Sequence, residues 1–327
     1  MRVFSILLIG LFFTLAAFAQ APKTKVILDT DIGDDIDDAW ALGFVISYPN
    51  FKPLGITMAH GNTPGRAKIA CKLLHIAGRD AIPVLVGRQT SKQVAPQFSW
   101  AEDYEKTKPA ATPAADFIVD MARRYPGEVV LIAVGPLENV ADALQKEPNL
   151  GKLLKRVVLM SGCIYGTATK PEPAPEYNVY AALADSRAVY GAGLPLTIVP
   201  LDSTTRVQLR DEERARVQKS RAPLAYALEC LYRLWLSRPA ARMTLHDQLA
   251  VAEAARPAEF FELTETLPIA VDDKGFTRVD REHGKPVTVC LEPRRDQIME
   301  YYLSVLLGPP IRQVIHAGTA RAVGSRQ

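Results

Sequence analysis

The chain has 327 residues, of which 48% are hydrophobic and 23% are charged, and its formal net charge is +3. This balance excludes a disordered chain, a coiled coil and a collagen-like fibre, and it provides enough apolar surface for a sizeable core. A net charge so close to zero gives no field that favours nucleic acid or an anionic membrane as a partner.

The first residues have the composition of a secretory signal peptide. Residues 1–20 hold one arginine, no acidic residue and an apolar run, followed by the small-residue triplet Ala17-Phe18-Ala19. A transmembrane anchor is the alternative, but the run is short for the ~30 Å of hydrocarbon in a bilayer. We therefore expect an exported, periplasmic or secreted protein that has no membrane attachment after cleavage near Ala19 or Ala21.

Short apolar runs alternate with amphipathic segments through the first two thirds of the chain. Six runs predict buried strands: Lys25–Leu28, Leu54–Ala59, Ile82–Val86, Val129–Val134, Val157–Met160 and Leu196–Leu201. The helical patterns between them are Asp38–Ser47, Arg66–Ala77, Ala114–Arg124, Asn139–Gln145 and Ala181–Tyr190. This alternation predicts an α/β fold with a mostly parallel, Rossmann-like sheet flanked by helices on both faces.

The last third of the chain has a different pattern. Its predicted elements are one or two helices, a further helix, a hairpin and a closing helix: Arg210–Ser237, Leu245–Ala255, 260–290 and Gln297–Leu307. No internal repeat or linker divides the chain, so we expect one domain over residues 24–307. Residues 308–327 are rich in Gly, Ala and Arg and predict a flexible tail.

One long segment has no regular pattern. Arg88–Pro113 shows no periodicity and contains Pro96, Trp100, Tyr104 and Pro109. A loop of this length in a compact domain is typically a lid or a binding loop. An excursion without a role is the alternative, and the sequence favours neither.

The four cysteines have no spacing typical of a disulfide framework. Cys71, Cys163, Cys230 and Cys290 lie at least 60 residues apart, and three of them stand in apolar stretches. A CxxC zinc or redox motif is absent from the sequence. We therefore expect isolated buried thiols, even in an exported protein.

Polar residues follow five of the six predicted strands. They are Asp29-Thr30-Asp31, His60-Gly61-Asn62, Gly135-Pro136, Ser161-Gly162 with the later Glu176-Tyr177-Asn178, and Asp202-Ser203-Thr204. In open α/β sheets, ligands bind beyond the carboxyl ends of the strands. The sequence therefore predicts an active site at that edge of the sheet.

The strongest single feature is an acidic cluster directly after the first strand. Residues 29–38 read DTDIGDDIDD and contain six aspartates. Their mutual repulsion would destabilise the fold unless a cation balances it, and Ca²⁺ prefers six to eight oxygen ligands. Mg²⁺, a solvated acidic loop and N-caps for the following helix are the alternatives. An EF-hand is excluded, because Asp34 and Trp40 stand at the loop positions that require Gly and Glu.

A second feature is the pair His246-Asp247 at the start of an apolar helical pattern. The two residues could act only as an N-cap. In the functional interpretation, Asp247 is a distant metal ligand, and His246 is a proton donor or a polar contact to the substrate. His60, which stands beside Asn62, is a candidate supporting residue.

Several sequence blocks together resemble the inosine-uridine nucleoside hydrolase family. They are DTDIGDDIDDAWAL at 29–42, HGN at 60–62, VGPLENVADAL at 134–144, VVLMSG at 157–162, PEYNVY at 175–180 and HDQLAV at 246–251. The blocks occur in the order found in that family. The resemblance implies hydrolysis of the N-glycosidic bond of a small-molecule nucleoside to free base and ribose.

The resemblance also implies a calcium site. Asp31 matches the family's residue that binds Ca²⁺ and takes a proton from the attacking water, and Asp38 matches the bidentate ligand. Val134 falls where the family supplies a backbone carbonyl to the metal. Asp247 would complete the set of calcium ligands.

The substrate contacts are implied in the same way. Asp37 matches a residue that hydrogen-bonds the ribose, and Asn62, Glu176 and Asn178 match residues that bind the ribose hydroxyls. His246 falls where a histidine lies near the leaving base. The resemblance leaves the oligomeric state open, with a homo-oligomer as one option.

The chain departs from the family pattern at three places. Asp34-Asp35-Ile36 stand between Gly33 and Asp37, where the best-known pattern has one residue. Thr169 and Lys170 replace a ribose-binding asparagine, and the family's histidine-containing stretch after the third strand is missing. These departures leave the base preference open.

Two other classes of protein share part of the pattern. A haloacid-dehalogenase-type phosphatase also begins with a strand followed by DxD, and it would use Asp29 as nucleophile with Mg²⁺. A non-catalytic nucleoside- or sugar-binding protein would use Asn62, Glu176 and Asn178 without turnover.

Overall fold

The computed structural model describes residues 22–236 and 242–308. The predicted signal peptide over residues 1–20 lies outside the described residues, and so does the predicted tail from residue 309 onward. Export therefore stays a prediction from the sequence. Across the two described ranges, no helix combines the length and the apolar character needed to cross a membrane.

Nine strands form in the described part of the chain: β1 (Thr24–Thr30), β2 (Phe51–Met58), β3 (Val84–Val86), β4 (Val129–Ala133), β5 (Arg156–Met160), β6 (Leu196–Val199), β7 (Phe261–Val271), β8 (Thr277–Val279) and β9 (Lys285–Pro293). The first six match the predicted strands to within a few residues. The expected hairpin over 260–290 is a three-stranded unit that ends at Pro293.

The helices of the described residues are α1 (Asp37–Ser47), α2 (Thr63–Ile76), α3 (Ala114–Arg124), α4 (Glu138–Lys146), α5 (Leu150–Leu153), α6 (Tyr177–Tyr180), α7 (Leu183–Gly191), α8 (Leu201–Thr204), α9 (Asp211–Lys219), α10 (Pro223–Trp235), α11 (His246–Ala255) and α12 (Arg295–Leu307). The pattern at Arg210–Ser237 resolves into two helices, because Pro223 begins the second one. Proline is favoured at that first position, where its missing N–H costs nothing.

All nine strands join one sheet in the order β3-β2-β1-β4-β5-β6-β9-β7-β8. Strands β1 to β6 are parallel, and β9 continues the parallel run beside β6. Only the pairings of β7 with β8 and β9 are antiparallel. The order of the first six strands is that of a doubly wound α/β fold, which reverses direction between β1 and β4. In such folds, ligands bind in the crevice that forms at this reversal, outside the carboxyl ends of the strands. The predicted site lies at this crevice.

Helices cover both faces of the sheet. Helices α1, α2, α10, α11 and α12 lie over one face, whereas α3, α4 and α7 lie over the other. Fully buried Trp40 and Phe44 on α1 meet Tyr302 of α12, with the Phe44 and Tyr302 rings 5.0 Å apart in an edge-to-face arrangement. Such a pair contributes about 0.5–1.5 kcal/mol beyond its buried area. This packing holds α1 firmly, which matters because α1 carries two of the predicted site residues.

The long segment Arg88–Pro113 supports the acidic loop from outside. It contains a short 3₁₀ helix, Pro96–Trp100, in which Gln97 is fully buried. The Gln97 side-chain amide donates to the Asp35 carbonyl at 2.7 Å, and its backbone N–H donates to the Gly33 carbonyl. Trp100 packs against the core, with the Lys72 ammonium 4.4 Å from its ring centroid.

Three of the four cysteines are isolated buried thiols, as the sequence predicts. Cys71, Cys163 and Cys290 are buried free thiols, and Cys230 is a half-buried free thiol. Burial raises the pKa of the Cys71, Cys163 and Cys290 thiols, which keeps them protonated and unreactive.

Candidate active site

A cavity of about 490 Å³ opens at the carboxyl edge of the sheet. Its walls come from the residues that follow β1, β4, β5 and β6 and from the start of α11. The lining residues are Asp31, Asp34, Asp35, Asp37, Asp38, Val134, Met160, Glu176, Tyr177, Asn178, Leu201, His246 and Asp247. All of the predicted site residues except Asn62 are therefore brought together.

Three buried carboxylates form the floor of the cavity. Asp37 and Asp38 open α1, Asp247 is the second residue of α11, and none is more than 4% exposed. One carboxylate oxygen from each lies within 4.8 Å of the other two. The Asp247 N–H donates to the Asp37 carboxylate, and the Gln248 amide donates to the Asp37 carbonyl at 2.7 Å. Packing of α11 on α1 thus joins aspartates that are 210 residues apart in the chain.

The pKa of each of these three carboxylates is raised. Desolvation by burial raises the pKa of Asp37, Asp38 and Asp247 well above the usual range, and repulsion between neighbouring carboxylates raises it further. Hydrogen bonds offset little of this, although the Thr30 hydroxyl donates to Asp38. Buried charges in proteins are normally paired or coordinate a metal. The donor set consists of hard oxygens, which suits a divalent cation such as Ca²⁺ or Mg²⁺.

Asp31 lies on the wall beside this floor. The Arg66 guanidinium donates to the backbone carbonyls of Asp31 and Ile32 and pairs with the Asp34 carboxylate at 2.6 Å. Burial raises the pKa of Asp31, and the Arg66 charge opposes that rise. Position 135 requires glycine, because a Cβ there would come within 2.7 Å of the Asp31 carboxylate.

The tightest carboxylate group differs from the predicted ligand set in one member. The prediction grouped Asp31 with Asp38 and Asp247, whereas Asp37 is the third member of the group within 4.8 Å. Asp31 faces the same cavity from the adjacent loop. The pair Asp37-Asp38 therefore presents two carboxylates from one turn of helix to whatever occupies the floor.

Asn178 and Glu176 organise the opposite wall. The Asn178 amide donates to the carbonyls of Val134 at 2.8 Å and Met160 at 3.1 Å. A carbonyl oxygen has two lone pairs, so the Val134 oxygen keeps one for a further partner. The Glu176 carboxylate accepts from the N–H groups of Gly162 and Asn178, and burial raises its pKa to about 7.

Asn62 takes a different position from the one predicted for it. It is the N-cap of α2, where its side-chain oxygen accepts from the Gly65 N–H at 3.0 Å. Its NH₂ group donates to the Lys92 carbonyl at 2.9 Å. Both ends of the amide are engaged, and Asn62 is not among the residues that line the cavity. In this structure it shapes the loop after β2 rather than facing the cavity.

His246 faces the cavity, with Nδ1 2.8 Å from the Thr204 hydroxyl. Burial lowers the pKa of His246 to about 4, so its imidazole is neutral near neutral pH. A neutral imidazole can still donate one hydrogen bond through the ring nitrogen that carries its proton.

Sequence reasoning gave no site role to five lining residues, Asp34, Asp35, Met160, Leu201 and Tyr177. Met160 and Leu201 stand at the carboxyl ends of predicted strands, and this position was the available signal. Tyr177 stands between the two predicted substrate-binding residues Glu176 and Asn178. It is 48% exposed and lies at the mouth of the cavity.

A doubly wound sheet with a polar, convergent cavity at its carboxyl edge is the arrangement of an α/β enzyme. The comparison with protein families identifies which one. The model of the inosine-uridine preferring nucleoside hydrolase family matches residues 26–300, and the chain belongs to that family. Membership confirms the resemblance carried by the motifs, and it makes the protein a hydrolase of N-glycosyl bonds. The phosphatase alternative is thereby excluded.

Individual relatives agree with this assignment. The probable uridine nucleosidase 2 of Arabidopsis thaliana is 29% identical over 282 residues, which cover 80% of this chain and 85% of the relative. An uncharacterised protein of Schizosaccharomyces pombe is 32% identical over 208 residues, covering 59% of this chain and 66% of that protein. The solved plant nucleoside hydrolase PpNRh1 superposes with a TM-score of 0.79 at 25% identity, covering 88% of this chain and 100% of that one.

Proposed function

We propose that the protein is a Ca²⁺-dependent nucleoside N-ribohydrolase that releases the free base and ribose. The observation that carries this proposal is the group of three buried carboxylates, Asp37, Asp38 and Asp247, whose oxygens lie within 4.8 Å of one another. No basic side chain is within hydrogen-bonding or ion-pairing distance of these carboxylates among the described residues. A divalent cation would remove the repulsion that raises their pKa values.

The residues fit a calcium ion. Asp38 and Asp247 would hold it from the floor, the free lone pair of the Val134 carbonyl from the wall, and Asp31 and Asp37 from either side. Calcium accepts many oxygen ligands in irregular geometry, which suits a group drawn from two helices and two loops. When bound, the ion would lower the pKa of a water molecule and attract the ribose diol.

Asp31 would act as the general base. Its carboxylate borders the cavity, and the missing side chain of Gly135 leaves room for it. A carboxylate in that position can take the proton of the water that attacks the sugar. Glu176, Asn178 and Asp37 would bind the ribose hydroxyls, and their negative and polar atoms would stabilise the positive charge that develops on the sugar.

Turnover of nucleosides tests the proposal directly. The purified protein is incubated with uridine, inosine and cytidine, and released base is measured by chromatography before and after EGTA treatment. We expect hydrolysis of at least one nucleoside, loss of turnover in EGTA, and recovery on addition of Ca²⁺ in preference to Mg²⁺. Full turnover in EGTA, or full activity of Asp31→Ala, would contradict the metal mechanism.

A further inference from the structure

A line of three hydrogen-bonded side chains runs from the interior to the mouth of the cavity. It consists of Glu138, His60 and Tyr177, and the calcium and general-base scheme uses none of them. Building on the proposed function, we propose that this line is a proton relay that protonates the base as it leaves the ribose. The three residues come from α4, the loop after β2 and the start of α6.

The contacts follow one another in order. The His60 Nδ1 lies 2.7 Å from the carboxylate of Glu138, whose side chain is 3% exposed. The His60 Nε2 lies 3.4 Å from the Tyr177 hydroxyl, and the two rings meet edge to face with centroids 6.0 Å apart. Tyr177 itself lines the cavity. With the Nδ1 proton donated to Glu138, the second ring nitrogen is the one that exchanges a proton with tyrosine.

The backbone of His60 is strained in a way that produces this alignment. His60 has a φ of +57°, in the left-handed region that non-glycine residues seldom adopt. The Arg66 guanidinium holds the His60 carbonyl at 2.8 Å, which fixes this conformation. Such strain persists where the surroundings over-determine it, and it is concentrated at functional sites. Here it directs the imidazole between Glu138 and Tyr177.

The surroundings of His60 favour its protonated form. The hydrogen bond with Glu138 raises the pKa of His60, as does the charge of Asp31, while burial and the charge of Arg66 oppose the rise. The side chain is 19% exposed, so solvent can return a proton after each turnover. His60 is therefore able to hold the proton that the relay requires.

In the proposed reaction, water attacks the sugar near the floor of the cavity, and the base departs near its mouth. The carboxylates on the floor are at most 4% exposed, whereas Tyr177 at the mouth is 48% exposed. In the proposed binding mode, ribose held over the floor would direct its base toward the mouth, where Tyr177 lines the cavity. A proton donor for the base is required there, because an unprotonated base is a poor leaving group.

The N-glycosidic bond breaks, and its electron pair goes to the base nitrogen, which takes the proton of the Tyr177 hydroxyl. The tyrosine oxygen takes the Nε2 proton of His60, which becomes neutral. Water supplies hydroxyl to the sugar carbon and its proton to Asp31. Asp31 then loses this proton to solvent, and His60 regains one from solvent.

Two substrates with different leaving groups test the relay. Uridine needs a proton on its leaving base, whereas the phenolate of p-nitrophenyl β-D-ribofuranoside departs without one. We expect Tyr177→Phe and His60→Asn to lower kcat/KM on uridine by about 10²-fold or more. On the aryl riboside, the same variants are expected to stay within about threefold of the unsubstituted protein, because they then remove no interaction that the transition state uses. Asparagine is chosen because it tolerates the positive φ at position 60.

Tyr180→Phe is the matched control. Tyr180 packs edge to face on Tyr177 at 5.4 Å, and it is 50% exposed, but its hydroxyl is not part of the line. Its removal should leave both substrates unaffected. Equal losses on the two substrates would overturn the relay by showing a structural role, and unchanged uridine hydrolysis in Tyr177→Phe would overturn it as well. If uridine is not a substrate, whichever of inosine and cytidine the unsubstituted protein hydrolyses takes its place. If the protein hydrolyses none of the three nucleosides and not the aryl riboside, the proposed function itself is wrong and the relay falls with it.

Discussion

Two groups of buried acidic side chains are built in opposite ways. On α10, the Glu229 carboxylate accepts hydrogen bonds from Arg214 at 2.7 Å, Arg233 at 3.0 Å and Gln218 at 3.1 Å. Burial raises the pKa of Glu229, but these partners outweigh it and leave the pKa below its usual value. In the cavity, burial and neighbouring carboxylates act together and raise the pKa of Asp37 and Asp38.

The difference distinguishes structural from functional use of the same chemistry. The chain supplies its own cations to Glu229, so that group is complete when the protein folds. Among the described residues, no basic side chain forms an ion pair with the cavity floor, and the Arg66 charge offsets only part of the rise in the pKa of Asp38. Uncompensated repulsion of this kind marks a site whose partner is not part of the polypeptide. A substitution on the cavity floor should therefore lower activity without lowering stability. A substitution of Glu229 should lower stability without lowering activity.

The largest effect is expected for Asp38→Asn. Removing one carboxylate from the floor should lower kcat/KM on uridine on the order of 10³-fold, because a charge that acts on the transition state is lost. The same variant should be at least as stable as the unsubstituted protein in EGTA, since one repulsive charge is gone. Denaturant unfolding in EGTA measures the second expectation, and a loss of stability there would contradict the comparison.

Metal removal is expected to have the next largest effect. At a calcium concentration of 100 times Kd, binding stabilises the folded state by about 2.7 kcal/mol. EGTA should therefore lower the free energy of unfolding of the unsubstituted protein and of Glu229→Gln by similar amounts. Asp247→Asn should lose this response, as measured by parallel unfolding curves with and without calcium. An equal response in all three proteins would place the ion elsewhere.

Glu229→Gln should show the reverse pattern to Asp38→Asn. Its loss of charge-assisted hydrogen bonds should cost about 1–2 kcal/mol of stability. Uridine hydrolysis should be unchanged at saturating calcium, because Glu229 is not among the residues that line the cavity. The two variants assayed side by side decide the comparison, and reduced activity in a fully folded Glu229→Gln would argue against it.

The smallest expected effect is a change with pH in the stability difference between the unsubstituted protein and Glu229→Gln. The pKa of Glu229 is lower in the folded protein than in the unfolded chain, so its stabilising contribution is present above about pH 4.3. That contribution is lost as the pH falls through the folded-state pKa. The stability difference between the unsubstituted protein and Glu229→Gln should therefore narrow from pH 6 toward pH 3. A constant difference over this range would show that the pairing contributes little.

Much of the site could be predicted from the sequence alone, because its residues stand where parallel strands end. Asp31 follows β1, Val134 follows β4, and Glu176 and Asn178 lie in the loop after β5. Parallel strands bring these ends to one edge regardless of how the helices pack. The motifs then assigned a role to each of these residues. Composition alone could not have distinguished them from the residues of a polar surface loop.

Other features depended on contacts between distant segments. The motif around Asn62 predicts a ribose ligand. The Asn62 side-chain amide instead accepts a hydrogen bond from the Gly65 N–H and donates one to the Lys92 carbonyl. The proposed relay rests on the contacts of His60 with Glu138 and Tyr177, which no local sequence pattern relates. Gln97 was hidden in a loop without periodicity, although it is buried and holds the carbonyls of the acidic loop.

The sequence by itself determined the alternation of strands and helices in the first two thirds of the chain, the edge of the sheet at which the site forms, and the family. These follow from hydrophobic periodicity and from short motifs, which act within a few residues. Only the tertiary structure decided which charges meet. Asp34 pairs with Arg66 and Glu229 with Arg214, whereas Asp37 lies against Asp247, and no basic side chain of the described ranges pairs with either. The physical reason is that a charge is stabilised by neighbours in space, and helix packing selects those neighbours from residues far apart in the chain.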